Sequence, residues 1–422
     1  MESRRQHFWT LFAGTLREAG RIALDAIRSN KLRSFLTVLG IVIGVTVIIT
    51  LVSLIEGLSN SVAEHIGSLG SNYIYVSTMP AIQTGRPNPE LMFRPDLTLD
   101  DAQAIAEYCP DVDAVTPMYF TSARVTHGAS STDLVMISGG NEDFCRVNAL
   151  NLELGRDLTS ADVRARRRVT VVGADIAEAL FGSRDPVGRE VRIGRYRFTV
   201  IGVLERRGDF LGQSQDTYVL VPHTLFGTIF EPTKMGGSSL FIIATSTSPA
   251  TVLRAADEIE SLLRRRRGVG PSEDNNFEVS TQGGLLEVFK EMETVLYAVL
   301  IGVASMSLLV GGIGIMNIML VAVTERTREI GVRKAIGARR RDITAQFVTE
   351  SVVLTLFGGV VGVGLGWGMA AILAAILELP NAITWWSILL GLSFSVVVGL
   401  FFGTYPAIKA SRLDPIDALR YE

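Results

Sequence analysis

The chain holds only two cysteines and four histidines in 422 residues. His7, His65, His127 and His223 lie far apart without ligand spacing, which argues against a shared metal centre. There is no Gly-x-x-x-x-Gly-Lys-Ser/Thr phosphate loop, so the chain is not its own ATPase by that route. The adjacent acids Asp100-Asp101 and Glu142-Asp143 sit at helix or loop starts, where capping and solvation explain them better than acid-base work. Four stretches, residues 35–55, 295–323, 351–377 and 379–408, contain no Asp, Glu, Lys or Arg. Each reaches the roughly 20 apolar residues that a membrane-spanning helix needs. With no ionisable group inside them, an ion pore or proton relay finds no lining, and Ser305, Ser307, Asn317 and Thr355 read as interhelical glue.

What is present fits that reading. A hydrophobic share of 48%, a charged share of 20% and a mean hydropathy of +0.32 describe an integral membrane protein rather than an ordinary soluble domain. The expected fold is membrane α-helical, with four spans at residues 35–57, 295–323, 347–377 and 383–408. A large α+β domain is expected between the first two. Short basic segments mark the inner side of a membrane. The tail before the first span carries Arg17, Arg21, Arg28, Lys31 and Arg33, and the segment at 324–346 is equally basic, whereas the turn Glu378-Leu-Pro-Asn has no base. Both termini and the second loop are therefore expected inside, and residues 58–294 outside. The first span reads as a retained anchor because no small-x-small cleavage site follows it. Phe8, Trp9, Phe12 and Leu16 recur at helical spacing in residues 1–34, as in a basic amphipathic helix lying in the inner interface or packed on a soluble partner.

Outside the membrane the pattern mixes helix and strand. Thr98 with Asp101 has an N-terminal cap pattern, residues 73–77, 169–173, 196–203, 217–221 and 240–244 read as strands, and residues 175–181 as a short helix. Helical connectors at 58–69 and 285–293 are expected to form a stalk. The arginine runs at 164–168 and 264–267 read as solvated helix faces or loops. Cys109 and Cys145 both fall in this region, where a disulfide or two buried free thiols stay equally open.

Small residues recur at fourfold spacing in the spans. Gly40 and Gly44 lie in the first, Gly358, Gly362 and Gly366 in the third, and Gly391, Gly399 and Gly403 in the fourth. In lipid such stripes let helix backbones approach closely. Gly362-x-Gly364-x-Gly366 lies inside an apolar span, which removes it as a nucleotide-binding loop.

The densest charged segment is wedged between the second and third spans. It holds Glu325, Arg326, Arg328, Glu329, Gly331, Arg333, Lys334, Gly337 and Ala338, interleaved with Ile330, Val332 and Ile336. Glu325 and Glu329, four apart, are expected on one helical face beside Arg328 and Arg333, with Gly337 ending the helix. Basic residues alone set topology, but the acids and apolar side chains among them suit a docking surface.

This segment, the N-terminal Asn30-Lys-Leu-Arg-Ser-Phe-Leu-Thr-Val-Leu-Gly and the C-terminal Pro406-Ala-Ile-Lys-Ala-Ser-Arg-Leu-Asp-Pro-Ile-Asp-Ala-Leu-Arg resemble hallmarks of MacB-type ABC transporter permeases of the FtsX-like superfamily. Asp185-Pro-Val-Gly-Arg-Glu-Val and Leu69-Gly-Ser-Asn-Tyr-Ile-Tyr-Val are similar to further blocks of that family. The resemblance implies a non-enzymatic permease in a bacterial inner membrane, paired with a second permease chain, most simply as a homodimer. Two cytoplasmic ABC ATPase subunits would bind the ATP and Mg²⁺, and this chain no cofactor and no nucleic acid. It further implies a porter-like part at about 60–151 and 239–280, an inserted lobe at about 154–222, and in many members an external adaptor. The best-known members carry a fused ATPase ahead of the first span. Here only the amphipathic tail precedes it, so the ATPase is expected in trans. The alternative is an FtsX-like regulator that activates an external cell-wall hydrolase.

Overall fold

The computed structural model describes residues 31–68, 70–80, 94–234, 239–380 and 384–420. The amphipathic segment expected before residue 31, as well as Leu69 and Asn381, lies outside the described residues. Two compact units form, one from the described parts of Met1–Ser59 and Glu293–Glu422, the other from Asn60–Met292.

Helix α1 (Lys31–Ser68) contributes to both units. The Asn60–Met292 unit then contains β1 (Tyr73–Ser77), α2 (Leu99–Tyr108), β2 (Val112–His127), β3 (Ser130–Gly140), α3 (Phe144–Val147), β4 (Leu152–Gly155), α4 (Ser160–Arg164), β5 (Val169–Val172) and α5 (Ala174–Phe181). After these come β6 (Glu190–Ile193), β7 (Tyr196–Leu204), β8 (Asp209–Phe210), β9 (Gln213–Ser214), β10 (Tyr218–Pro222), β11 (Leu240–Ser246), α6 (Val252–Arg267) and β12 (Glu278–Thr281). Strands β12-β1-β11-β2-β3-β10-β5-β7-β4 form one mixed sheet, to which β6 adds by pairing with β2 and β7. The hairpin β2–β3 is its spine: Tyr119 stands opposite Gly139, and the two-residue turn uses Gly128 at φ +58°, a backbone region glycine enters without a Cβ clash. The segment 154–222 is not separated from the rest by a gap in this sheet, because β10 pairs in parallel with β3 and places Leu220 opposite Ser138.

Apolar alternation along these strands fills three clusters. Ile74, Ile242 and Val115 pack with Ile105 and Ile259 under α2 and α6. Val125, Ile137, Phe198 and Val219 pack with Ile176 and Phe181 of α5. A third holds Phe144, Val171, Leu220 and Phe241. Thr98 caps α2 reciprocally: its Oγ1 accepts from the Asp101 amide at 3.2 Å, and an Asp101 carboxylate oxygen accepts from the Thr98 amide at 3.1 Å.

The arginines of 264–267 form the last turn of α6, and Arg265 and Arg266 are exposed as a solvated face requires. Arg267 departs from that reading: its side chain, 8% exposed, lies over the Phe277 ring and donates to the Asp96 carbonyl at 3.3 Å, while Arg266 pairs with buried Asp101 at 3.0 Å. Of the two readings left open for the cysteines, the structure has the second: Cys109 and Cys145 are buried free thiols in two different apolar clusters. Burial, reinforced by nearby Glu258, pushes the Cys109 thiol up to about 11, and burial beside Asp157 raises that of Cys145 further.

The other unit is helical. It combines α1 with α7 (Gln282–Glu325), α8 (Thr327–Ala335), α9 (Arg340–Leu377), α10 (Trp385–Ser411) and the short α11 (Pro415–Arg420). Among the described residues four helices, α1, α7, α9 and α10, are long and apolar enough to cross a membrane. Their shared core joins Ile41, Val45 and Ile49 of α1 to Leu308, Ile315 and Met319 of α7 and Val398 and Ala407 of α10. The opposite face of α7, with Val299, Met306 and Val310, is exposed and apolar, as a lipid-facing surface is.

Glycines set the distances between these helices. A Cβ on Gly362 would lie 2.8 Å from Val45 Cβ, and one on Gly366 2.8 Å from Ile49 Cβ; Thr46 Oγ1 also donates to the Gly362 carbonyl at 3.1 Å. Gly358 and Gly391 face the same ridge of α1, at Ile41 and at Val45 and Ile49. A Cβ on Gly40 would lie 2.9 Å from the Gly311 Cα of α7, and one on Gly44 would meet Leu308. Gly399 and Gly403 of α10 face Thr355 and Ser351 of α9. Near the other end, Glu56 accepts hydrogen bonds from Trp386 Nε1 at 2.7 Å and Thr384 Oγ1 at 2.9 Å, tying α1 to the start of α10.

Candidate functional site

The charged segment folds as a separate helix held against the bundle. The helix of α7 stops at Glu325, Arg326 leaves helical geometry at φ −101° and ψ 15°, and α8 begins at Thr327. Glu325 and Glu329 lie on either side of this one-residue interruption, and both are exposed. The break has a local cause. Thr327 Oγ1 turns back to donate to the Val323 and Thr324 carbonyls at 3.0 and 2.9 Å, and the Arg326 guanidinium reaches sideways to Glu350 of α9.

Four attachments fix α8. Arg326 Nη1 donates to Glu350 Oε1 and Oε2 at 3.2 and 3.4 Å, and the Glu350 side chain is only 7% exposed. Lys334 Nζ donates to the Ser411 carbonyl at 2.9 Å and to that of Leu413, where α10 ends. Gly331 lies against α11, where an added Cβ would approach Ala418 Cβ to 2.8 Å. Arg333 bridges Glu329 on its own helix and Gln346 of α9, both at 2.6 Å. The helix ends at Ala335 with Ile336 as its cap; Gly337 follows, its φ of +104° suiting a residue without a Cβ, and the Ala338 amide donates to the Arg333 carbonyl at 3.0 Å.

These attachments leave one face free of the bundle. Ile330 is buried, whereas Arg328, Val332, Ala335 and Ile336 are exposed, with Val332 at 44% and Ile336 at 80%. The free face thus presents a guanidinium beside two bare aliphatic side chains on a rigidly braced helix, a combination suited to gripping a protein groove. Glu350, Gln346 and Ala418 were not singled out by the sequence. The available signal was an acid standing immediately before an apolar span and opposite a basic loop.

A helical bundle with four candidate spans, a mixed α/β unit between the first two and a braced charged helix between the second and third defines a polytopic membrane permease. The model of a MacB-like periplasmic core domain matches residues 34–262, and that of an FtsX-like permease C-terminal region matches residues 301–415. The macrolide export ATP-binding/permease protein MacB of Bdellovibrio bacteriovorus is 34% identical over 404 residues, covering 94% of this chain and 61% of that protein. The ABC transporter permease YknZ of Bacillus subtilis is 34% identical over 408 residues, covering 97% of this chain and all 100% of its own length. A crystal structure of the extracellular domain of YknZ covers 50% of this chain and 100% of its own, with 21% identity and a TM-score of 0.39. The chain spans about three fifths of the MacB relative's length, at 61%. The chain belongs to the MacB-like, FtsX-like family of ABC transporter permeases.

Proposed function

We propose that this chain is the membrane subunit of an ABC exporter in a bacterial inner membrane, and that α8 is the part on which cytoplasmic ATPase subunits act. Two ATPases bind ATP and Mg²⁺, and their closure moves α8. The bundle carries that movement to the extracytoplasmic unit, where substrate is extruded. Two copies of the chain form the permease. The relative from Bdellovibrio bacteriovorus is named for macrolide export; export is the part of that name extended to this chain.

The observation that carries the reading is the two-sidedness of α8. One side is tied to α9, α10 and α11, so a push on the helix is delivered to the bundle rather than absorbed by a loose loop; the other offers Arg328, Val332 and Ile336 to solvent. The Bacillus subtilis relative, named a permease and matched over 100% of its own length, supports ATP hydrolysis on a separate subunit. Basic residues around α8 and in the N-terminal tail support the cytoplasmic side for both. The regulator reading is not favoured, because the match over residues 34–262 is to a MacB-like periplasmic core domain.

The test is ATP hydrolysis by the partner ATPase reconstituted with the full chain in lipid nanodiscs. Val332→Glu/Ile336→Glu is expected to abolish stimulation by the permease while the permease stays folded. Unchanged stimulation would remove α8 as the input.

A further inference from the structure

The sheet face that holds the Phe144 cluster is roofed only in part. Helix α3 sets the Phe144 ring against Tyr218 of β10, with centroids 5.9 Å apart. Register places Tyr218 beside Met136, and Leu134, two residues earlier on β3, shares that face. Leu134 is 72% and Met136 38% exposed, where a merely solvated sheet face would carry polar side chains. Around them opens a cleft of about 690 Å³. Its walls include Leu204 of β7, and His65 of α1 and Phe210 of β8, whose rings stack at 4.1 Å. Every lining residue belongs to the Asn60–Met292 unit. The volume lies within the range of about 300–1,000 Å³ typical of sites for one small molecule.

We propose that this cleft binds an anionic amphiphile of drug-like size, a single alkyl or aromatic body ending in a carboxylate, with the body on Leu134, Met136 and Tyr218 and the carboxylate on Arg207. The proposal stands apart from the docking of α8. Among the lining residues Arg207 is the one Asp, Glu, Lys or Arg. Its Nη2 donates to the Asn148 carbonyl at 3.0 Å and to that of Ala149, which fixes the guanidinium, and no carboxylate forms an ion pair with it among the described residues. Asp216, 4% exposed, spends its carboxylate on the Arg207 and Gly208 amides at 2.8 and 2.9 Å. Burial pulls the Arg207 pKa below its ordinary value, so a bound anion would restore interactions that the guanidinium loses with water. A planar guanidinium matches a carboxylate with two parallel hydrogen bonds. Glu64 and Asp209 line an adjoining recess that also reaches Arg207, and they favour a head with one negative charge over a more highly charged one.

The test uses the full chain in nanodiscs of zwitterionic lipid, irradiated with a diazirine-bearing long-chain fatty acid, with labelled peptides identified by mass spectrometry. Labelling is expected on the peptides that carry Leu134, Met136, Phe210 and Tyr218. Decanoate in excess should lower it at least about tenfold, whereas decanol and decylamine should leave it unchanged. Leu134→Glu, at an exposed position, is expected to lose that labelling with an unchanged melting temperature and with labelling of the apolar helices retained. Arg207→Gln is expected to lose the preference for decanoate over decanol. Absence of label from these peptides, or equal competition by the three head groups, would overturn the proposal. Labelling that falls when anionic phospholipid is added to the nanodisc but not when decanoate is added would assign the cleft to membrane lipid and overturn it as well.

Discussion

Arg326 and Glu350 are joined by a two-pronged contact of 3.2 and 3.4 Å between the break that precedes α8 and the first third of α9. Together with the Arg333–Gln346 contact it links the candidate input helix to α9, one of the four candidate spans. Removing one member of a buried pair leaves an uncompensated group, which costs about 3–5 kcal/mol when both are fully buried. Arg326 is 28% exposed, so a smaller penalty of about 2 kcal/mol is expected here. Arg326→Ala should lower the melting temperature in nanodiscs and uncouple ATPase stimulation from ATPase binding. Loss of neither would show that the contact is incidental.

The glycine spacing in α9 separates contact positions from free ones. Gly362→Leu would drive a side chain into Val45 and the Val42 carbonyl, whereas Gly364 has nothing within 4 Å of its added Cβ. Overpacking of this kind costs about 1–3 kcal/mol or more. Gly362→Leu is expected to lower the melting temperature clearly and Gly364→Leu to leave it unchanged. Equal effects from the two would contradict the assignment of faces.

Asp162 gives the extracytoplasmic unit a sensitivity to acid. Burial opposes its ionisation, but hydrogen bonds from Arg156 and from the Thr159 side chain and amide, together with the Arg156 charge, outweigh that and hold the carboxyl at about 2, against an ordinary 3.8. A depressed carboxyl stabilises the fold fully above its unfolded value and loses that contribution as pH falls through the folded one. Stability should therefore decline between about pH 4 and pH 2, and Asp162→Asn should be less stable at neutral pH with a flatter profile below pH 4. A parallel profile displaced by a constant would rule out Asp162 as the source.

The free thiols predict simple chemistry. Cys109 and Cys145 are both 3% exposed, and a raised thiol holds little reactive thiolate at neutral pH. Neither should react with maleimide in the native chain, and both should react once it is denatured without reductant. A failure to label after denaturation would indicate the disulfide.

The four long apolar helices were legible in the sequence because acid-free and base-free runs of that length have few places to go except lipid. Short strands such as Tyr73–Ser77 and Tyr196–Leu204 also carried their own alternation, and the cap at Thr98 was written in two residues. The paired strands Val112–His127 and Ser130–Gly140 were not read, although they form the spine of the sheet; Leu134 at 72% and Met136 at 38% exposure blur the alternation of burial on β3. Arg267 looked solvated because sequence does not reveal that Phe277 and Asp101 lie beside it. At the candidate site, residue types were readable but not the contact of Arg326 with Glu350, which lies 24 residues further along the chain.

The central claim, that the free face of α8 is where an ATPase takes hold, is tested most directly by photo-crosslinking from position 336 with a benzoylphenylalanine in place of Ile336, in membranes containing the full chain and its ABC ATPase. The account predicts an ATPase adduct whose yield changes with ATP. Adducts only to lipid or to the permease itself would contradict it.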